Sequence, residues 1–534
     1  MSIAVPAIRL RSRRAPRGIP FLAGVALLIT AAVLLPPVYL VVRALGSREA
    51  IPEILTQRTV VDALGRTLLL TITVTAMCIA VAVPLAWLVM RTDLPGARVW
   101  MPLLALPLSI PSFVGGYVMV SALGPGGMLK QLLEPLGVTQ LPSFYGYWGS
   151  WLVLSALSYP YVFLQVCAAL RREDPALEEA SRSLGHGPWV TFFRVTLPQL
   201  RPAISAGGIL VALYVLSEFG AVSMLRYDTL TPVMYVRYTT AFDRGSAAVL
   251  GLPLIALAIA IVLIDGMTRS GARYHTRAQR REPKRLALGN WRWAALALCV
   301  LAAGIGAGVP VLVVCYWLIR GLGRSTTTLG LPLTAVVHTV QVAAGGAIFA
   351  GLATLPLAWL SVRHQGRLGY VLERLAYAGQ ALPAITIALA LVFFSARYLS
   401  PIYQTVLVLM FAYGVRFLPE ALGATRTALL QVNPNGEEAA RSLGAGAMRT
   451  FLRVTAPQMI PGFSAGMLLV FLTAVKELPM TLLLSPAGYD TFATTIWAAT
   501  SEAMFGRAAL PSLVLLLLSG IAVLVMVRRE RQAA

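Results

Sequence analysis

Glu178 to Glu218 reads EEASRSLGHGPWVTFFRVTLPQLRPAISAGGILVALYVLSE, and Glu437 to Glu477 reads EEAARSLGAGAMRTFLRVTAPQMIPGFSAGMLLVFLTAVKE. The two align without a gap and are identical at 23 of 41 positions. A match of that length marks a duplicated unit, and the duplication sets the architecture. Each copy begins polar and charged and runs into an apolar stretch. A polar segment kept twice in an apolar chain suggests two equivalent docking surfaces for something outside a bilayer.

The surrounding composition is that of a membrane protein. The chain has 534 residues, 57% hydrophobic and only 12% charged, with a mean hydropathy of +0.75. A soluble chain carries about twice that charged fraction. Cys78, Cys167, Cys299 and Cys315 all lie in apolar runs without a CxxC pair. They read as small core residues and not as a disulfide or zinc framework.

About twelve apolar runs approach the ~20 residues that cross a bilayer. They fall at 21–43, 62–90, 101–123, 148–170, 203–225, 247–266, 293–319, 335–362, 376–396, 404–425, 463–484 and 508–527. The expected fold is therefore an all-α membrane protein. The first run follows Arg9, Arg11, Arg13, Arg14 and Arg17. It is too long for a signal-peptide core and lacks a small-residue cleavage site, so it reads as a retained anchor.

The net charge of +22 could mean nucleic acid. The basic residues sit between apolar runs, however, which favours membrane orientation. The amino terminus, the 267–292 joint (Arg269, Arg273, Arg277, Arg280, Arg281, Lys284, Arg285, Arg292) and the tail (Arg528, Arg529, Arg531) are the basic ends. With twelve spans all three share one side, and the positive-inside rule makes it cytoplasmic. Both polar repeats follow even-numbered spans and face the same side.

The duplication extends further: Pro84-Leu85-Ala86-Trp87-Leu88 recurs as Pro356-Leu357-Ala358-Trp359-Leu360. The offset there is 272, against 259 for the polar segment. The first half therefore holds thirteen extra residues, which the 124–150 loop can accommodate. Six spans per half, an even number, make the repeats parallel. The expected division is a first repeat at 1–266, a cytoplasmic linker at 267–292 and a second repeat at 293–534, with polar segments at 178–202 and 437–461.

Within each polar segment, Glu-Glu-Ala followed by Arg and Leu-Gly reads as a short amphipathic helix ended by glycine. Such a helix can insert into a partner's groove. It could equally be an interfacial loop that caps the bundle. Two copies with the same charged residues favour docking.

These residues resemble the permease subunits of bacterial ABC importers. That family's pattern is Glu-Ala-Ala, three residues, Gly, nine residues, an aliphatic residue, one residue, Leu-Pro. Here it stands as Glu438-Ala439-Ala440, Gly444, Val454, Ala456-Pro457 and as Glu179-Ala180-Ser181, Gly185, Val195, Leu197-Pro198. The resemblance covers nearly the whole chain and looks like a fused form with two repeats. It implies the type I importer (MetI-like) permease fold in the inner membrane, with both termini cytoplasmic. It also implies that the segments are coupling helices, with Glu178, Glu179, Ala180, Arg182 and Gly185 in one copy and Glu437, Glu438, Ala439, Arg441 and Gly444 in the other. The implied partners are two copies of a cytoplasmic ATPase, which would hold ATP and magnesium, and a periplasmic substrate-binding protein. No cofactor is expected on this chain and no nucleic acid.

The stretches Ser217-Glu218-Phe219-Gly220 and Lys476-Glu477-Leu478-Pro479 look like the fused permeases of ferric-iron importers, with thiamine and aminoethylphosphonate permeases as close relatives. The residues do not point to iron on their own. His186, His275, His338 and His364 are scattered, and no oxygen-ligand cluster stands at metal spacing. Within the apolar runs Glu218, Glu477 and Lys476 stand out, because burying charge there is costly. The glutamates could guide a cation or make a structural bond; for Lys476 a pair that fixes two helices is the simpler reading. Tyr159 and Tyr161 could line a path or pack against it. No phosphate-binding loop, hydrolytic triad or HExxH motif occurs, so any ATP chemistry belongs to a partner. A stand-alone twelve-span carrier would match the span count but would have no need of the repeated polar segment.

Overall fold

The computed structural model describes residues 19–46, 48–137, 142–173, 175–240, 244–269, 285–322, 333–364 and 366–532. The basic amino-terminal stretch and most of the joint, including Arg273, His275, Arg277, Arg280, Arg281 and Lys284, lie outside them. Among the described residues the architecture is helical, with one isolated β-bridge, Thr92 to Leu286.

Among the described residues ten helices are long and apolar enough to cross a membrane, and two shorter apolar ones lie at Ala384–Tyr398 and Phe505–Ile521. Together they account for the twelve runs. The third and ninth runs do not form single helices. The third is Ala97–Ala105, a 3₁₀ turn at Leu106–Ser109, then Ser112–Leu123. The ninth is Arg367–Ala381, then Ala384–Tyr398. Pro111 and Pro383 start the second pieces at the same 272-residue offset. Proline lacks an N–H and pushes the preceding residue out of the helical region, so both breaks are encoded. The fifth and eleventh runs likewise stop at Leu216 and Ala474 and resume as short helices at Gly220–Met224 and Pro479–Leu484. The thirteen extra residues do lie between Leu123 and Tyr147, where a short helix forms at Met128–Leu133.

Repeated small residues explain the tight crossings. A Cβ on Gly207 would stand 2.6 Å from the Val162 backbone, and one on Gly466 would stand 2.6 Å from the Ala424 side chain. These glycines occupy the same place in the repeated Ser-Ala-Gly, and they let the fifth and eleventh spans close on the fourth and tenth.

Packing does not follow the division of the sequence. The first helix, Ile19–Leu45, lies against Arg244–Arg269 of its own half, but also against Leu333–Arg363, Arg367–Ala381 and Ala384–Tyr398 of the other. Ala26 and Val33 share a core with Ala353, Leu357, Leu372, Ala376, Val415 and Leu418. The seventh run, Arg292–Ala303 continuing to Val309–Leu322, reciprocally packs on Ala97–Ala105 and Ser112–Leu123 of the first half. Each half thus lends its first span to the other. The described end of the joint is also fixed. The Asp93 N–H donates to the Leu286 carbonyl, the Leu286 N–H to the Arg91 carbonyl, and the Leu288 N–H to the Asp93 carboxylate.

Candidate functional site

The two polar segments fold alike. Short helices run Pro175–Ser183 and Pro434–Ser442, the second capped by Asn433, whose side chain accepts the Asn435 N–H at 3.0 Å. Each ends at a glycine in the left-handed region, Gly185 at φ +84° and Gly444 at φ +86°. The Gly185 N–H donates to the Arg182 carbonyl and the His186 N–H to the Ser181 carbonyl; Gly444 and Ala445 repeat both bonds. This is a Schellman ending, which requires positive φ at the glycine. One turn of π-helix follows in each copy, Phe192–Thr196 and Phe451–Thr455, before the chain enters the next span.

Buried ion pairs hold the helices in place. Glu178 lies 3.2 Å from the Arg91 guanidinium and accepts the Thr196 hydroxyl at 3.0 Å. Glu437 accepts two N–H bonds from Arg363, at 2.9 and 3.2 Å, and the Thr455 hydroxyl at 3.0 Å. Arg91 and Arg363 stand seven residues after the matched Pro84 and Pro356, so the two repeated blocks meet here. Their tryptophans meet the segments too: Trp87 on Phe192 at 5.4 Å, and Trp359 on Phe451 at 5.5 Å. Arg91 and Arg363 were not singled out from sequence. Reading PLAWLVMR against PLAWLSVR to its last residue would have found them.

The residues expected to couple therefore divide. Glu178 and Glu437 turn inward and anchor, Glu178 on the buried Arg91 and Glu437 on the half-buried Arg363. Arg182 reaches back to Glu178 at 3.4 Å. Glu179 is half-buried, while Glu438, Ala180, Ala439, Arg441 and both turn glycines are exposed. Large apolar side chains surround them in the open, Leu177, Leu184, Trp189 and Phe193 in one copy and Leu443, Met448 and Leu452 in the other. An amphipathic helix flanked by exposed aromatic and aliphatic residues is suited to a groove.

The copies differ at this anchor. Glu173 also pairs with Arg91, at 3.4 Å, whereas Val432 holds its position in the second half. Burial raises the Glu173 carboxyl to about 7, with the Glu178 charge adding to the rise and Arg91 opposing it.

A second cluster lies between the halves at the level of the spans. Glu218 and Glu477 behave alike. The Glu218 carboxylate accepts the Ala221 N–H at 2.9 Å, and that of Glu477 accepts the Met480 N–H at 3.4 Å. Each caps the short helix that follows it, which is the structural alternative for these residues. The groups beside them come mostly from the second half. Glu420 accepts the Thr473 hydroxyl at 3.0 Å. Arg416 donates to the Leu382 carbonyl, and Lys476 to the Leu108 carbonyl of the first half at 3.3 Å. Glu420 sits at the counterpart of Tyr161, and the Tyr161 ring lies 5.7 Å from that of Tyr214. Tyr161, Arg416, Glu420, Lys476 and Glu477 are only half-buried. Tyr159 belongs elsewhere: it is buried, and its hydroxyl has no partner among the described residues. Two residues along a helix is about 200° of turn, so the two tyrosines cannot share a face. Arg416 and Glu420 escaped the sequence reading, although they stand four apart in an apolar helix. Among the described residues no three His, Cys, Asp or Glu side chains are grouped to hold a metal.

The model of the family described as binding-protein-dependent transport system inner membrane component matches twice, at residues 79–241 and 346–532. The Fe(3+)-transport system permease protein FbpB 2 of Haemophilus influenzae is 34% identical over 516 residues, 95% of this chain and 98% of that protein. The molybdenum transport system permease protein ModB of Escherichia coli is 33% identical over 208 residues, 37% of this chain and 90% of that protein. The sulfate transport system permease protein CysW of the same species is 29% identical over 247 residues, 44% of this chain and 84% of that one.

Proposed function

Since the chain belongs to the binding-protein-dependent transport system inner membrane components, carrying the family's unit twice, we propose that it supplies both permease units of an ABC importer for ferric iron. The observation that carries the transport machinery is the pair of matched helices, Pro175–Ser183 and Pro434–Ser442. Each is rooted in the bundle by a buried Arg–Glu pair and ringed by exposed apolar side chains. Two ATPase subunits receive these helices and supply ATP and magnesium; the permease itself is not catalytic. Closing of the ATPases pulls both helices together. The anchors at Arg91 and Arg363 pass that movement to the second and eighth spans, and the halves part on the opposite side, where a binding protein delivers its cargo.

The full-length similarity to an Fe(3+) permease supports iron; the molybdenum and sulfate relatives each cover about one half. The conduit runs between the halves past Tyr161, Glu218, Arg416, Glu420 and Glu477. Loose carboxylate placement suits passage, because a tight site would retain the ion. The test is uptake of radiolabelled ferric iron in cells lacking the chain, with and without complementation. Loss of iron uptake restored by the gene supports the reading. Intact iron uptake with loss of molybdate, sulfate, thiamine or aminoethylphosphonate uptake overturns the cargo and keeps the permease.

A further inference from the structure

The third and ninth spans both break inside the bundle, and a broken helix leaves carbonyl groups at its carboxyl-terminal end without intrahelical partners. Those carbonyls carry the negative end of the helix dipole. In membrane transporters such ends are places where cations bind. Here both ends are already occupied by cationic side chains. Lys476 donates its ammonium to the Leu108 carbonyl at the first break, and Arg416 donates its guanidinium to the Leu382 carbonyl at the second.

Both cations come from the second half. The hydroxyl of Ser217, the counterpart of Lys476, donates to the Leu213 and Tyr214 carbonyls of its own helix. The counterpart of Arg416 is Leu157. The Lys476 contact is therefore one-sided: a charge in the turn that ends the eleventh span's helix, in the second half, is tied to the broken third span of the first. One oxygen of the kind a hard cation prefers, the Leu108 carbonyl, holds the ammonium at 3.3 Å. A second, the Glu420 carboxylate that accepts the Thr473 hydroxyl at 3.0 Å, attracts it through space. An ammonium within an apolar run is costly, and it is retained where it has a functional counterpart.

We propose that Lys476 is a tethered cation occupying, in this conformation, the position through which a hard metal cation passes between the halves, with Leu108, Glu420 and Thr473 as its oxygen donors. While the ammonium is seated, the halves are linked and the position is filled. When the halves separate, the contact to Leu108 breaks, the flexible stem carries the ammonium aside and the oxygens become available. Returning, the ammonium displaces the ion. Conduit loading is thereby tied to the relative movement of the halves, with no resident metal site.

This inference rests on the reading of the cargo as a cation, and its test is separate from uptake. The importer is purified with its ATPase and titrated with terbium, a trivalent oxygen-seeking ion, its emission sensitised by Tyr161 and Tyr214. Wild-type protein should show no saturable signal. Lys476→Met, which keeps the side-chain volume, should bind at least about tenfold more tightly, a difference of ~1.4 kcal/mol. Adding Glu420→Gln to Lys476→Met should abolish that gain. Lys476→Gln serves if the methionine variant does not assemble. Equal binding by wild-type and lysine-free protein, no binding by either, or a gain that survives Glu420→Gln each overturns the proposal. Iron uptake unaffected by deleting the chain would overturn the cargo reading, not the tether.

Discussion

At the scale of single residues, the same residue type does different work in different surroundings. Glu437 is buried and bonded on both sides, so Arg363→Ala leaves a buried charge without its partner, at a cost of about 3–5 kcal/mol. We expect a lower midpoint of thermal unfolding and reduced recovery of the bound ATPase on purification. Glu218 and Glu477 cap short helices through an oxygen that glutamine also has. The double Glu→Gln variant should keep near wild-type iron uptake, while the double Glu→Ala variant loses the caps, worth about 1 kcal/mol each. Strong loss of uptake in the glutamine variant would instead make the carboxylate charge itself the working feature. Glu173 has a pH signature. Its carboxyl is raised from 4.5 to about 7 when folded, so the folded state binds the extra proton between those values. Stability from this group is present below pH 4.5 and is lost as pH rises through 7. Glu173→Gln should flatten that part of the stability–pH curve, and an unchanged slope would refute the assignment.

At the scale of elements, the two polar-segment helices owe their shape to one glycine each. A Cβ at Gly185 or Gly444 would meet no atom within 4 Å, so a larger side chain is resisted by backbone conformation and not by crowding. Leucine in the left-handed region costs about 1–2 kcal/mol, whereas asparagine tolerates it. The Gly185→Leu, Gly444→Leu variant should therefore bind the ATPase weakly or hydrolyse ATP without transport, and the corresponding asparagine pair should transport. Wild-type uptake by the leucine pair would remove the turn from the mechanism. The first copy carries an extra network, with the Ser181 hydroxyl 3.2 Å from His186 and 3.1 Å from Thr191. Alanine at the Ser181 position in the second copy forbids it, so the two copies should differ in tolerance.

At the scale of the whole molecule, exchange of the first spans means that neither half is a closed packing unit. A Cβ at Gly379 would lie 3.2 Å from a Val33 methyl, across the boundary between the halves. Cysteines placed at Val33 and Gly379, in a background without the four native ones, should cross-link within one chain. A cross-link that joins two chains instead would contradict the exchange. Orientation is a separate matter, resting on arginine placement. A cysteine at position 280 should resist an impermeant reagent applied from outside intact cells, with one at position 488, beyond the eleventh span, labelled as the control.

The duplication, the twelve apolar runs, the thirteen-residue insertion and the two glycine-ended polar helices are legible in the sequence alone. Each of these is a local property: hydrophobic length, turn chemistry at one residue, or identity between two stretches of one chain. It also contained the anchors, because Arg91 and Arg363 close the second repeated block; what it could not convey is that they meet Glu178 and Glu437. Packing sets which acidic residue turns inward, which tyrosine joins the cluster, where Lys476 points and which half each first span serves. These depend on contacts between residues as far apart as Leu108 and Lys476, and side-chain direction in an apolar helix is set by its neighbours. A bilayer-spanning helix is apolar nearly all round, so its periodicity names no partner. Only packing breaks that tie.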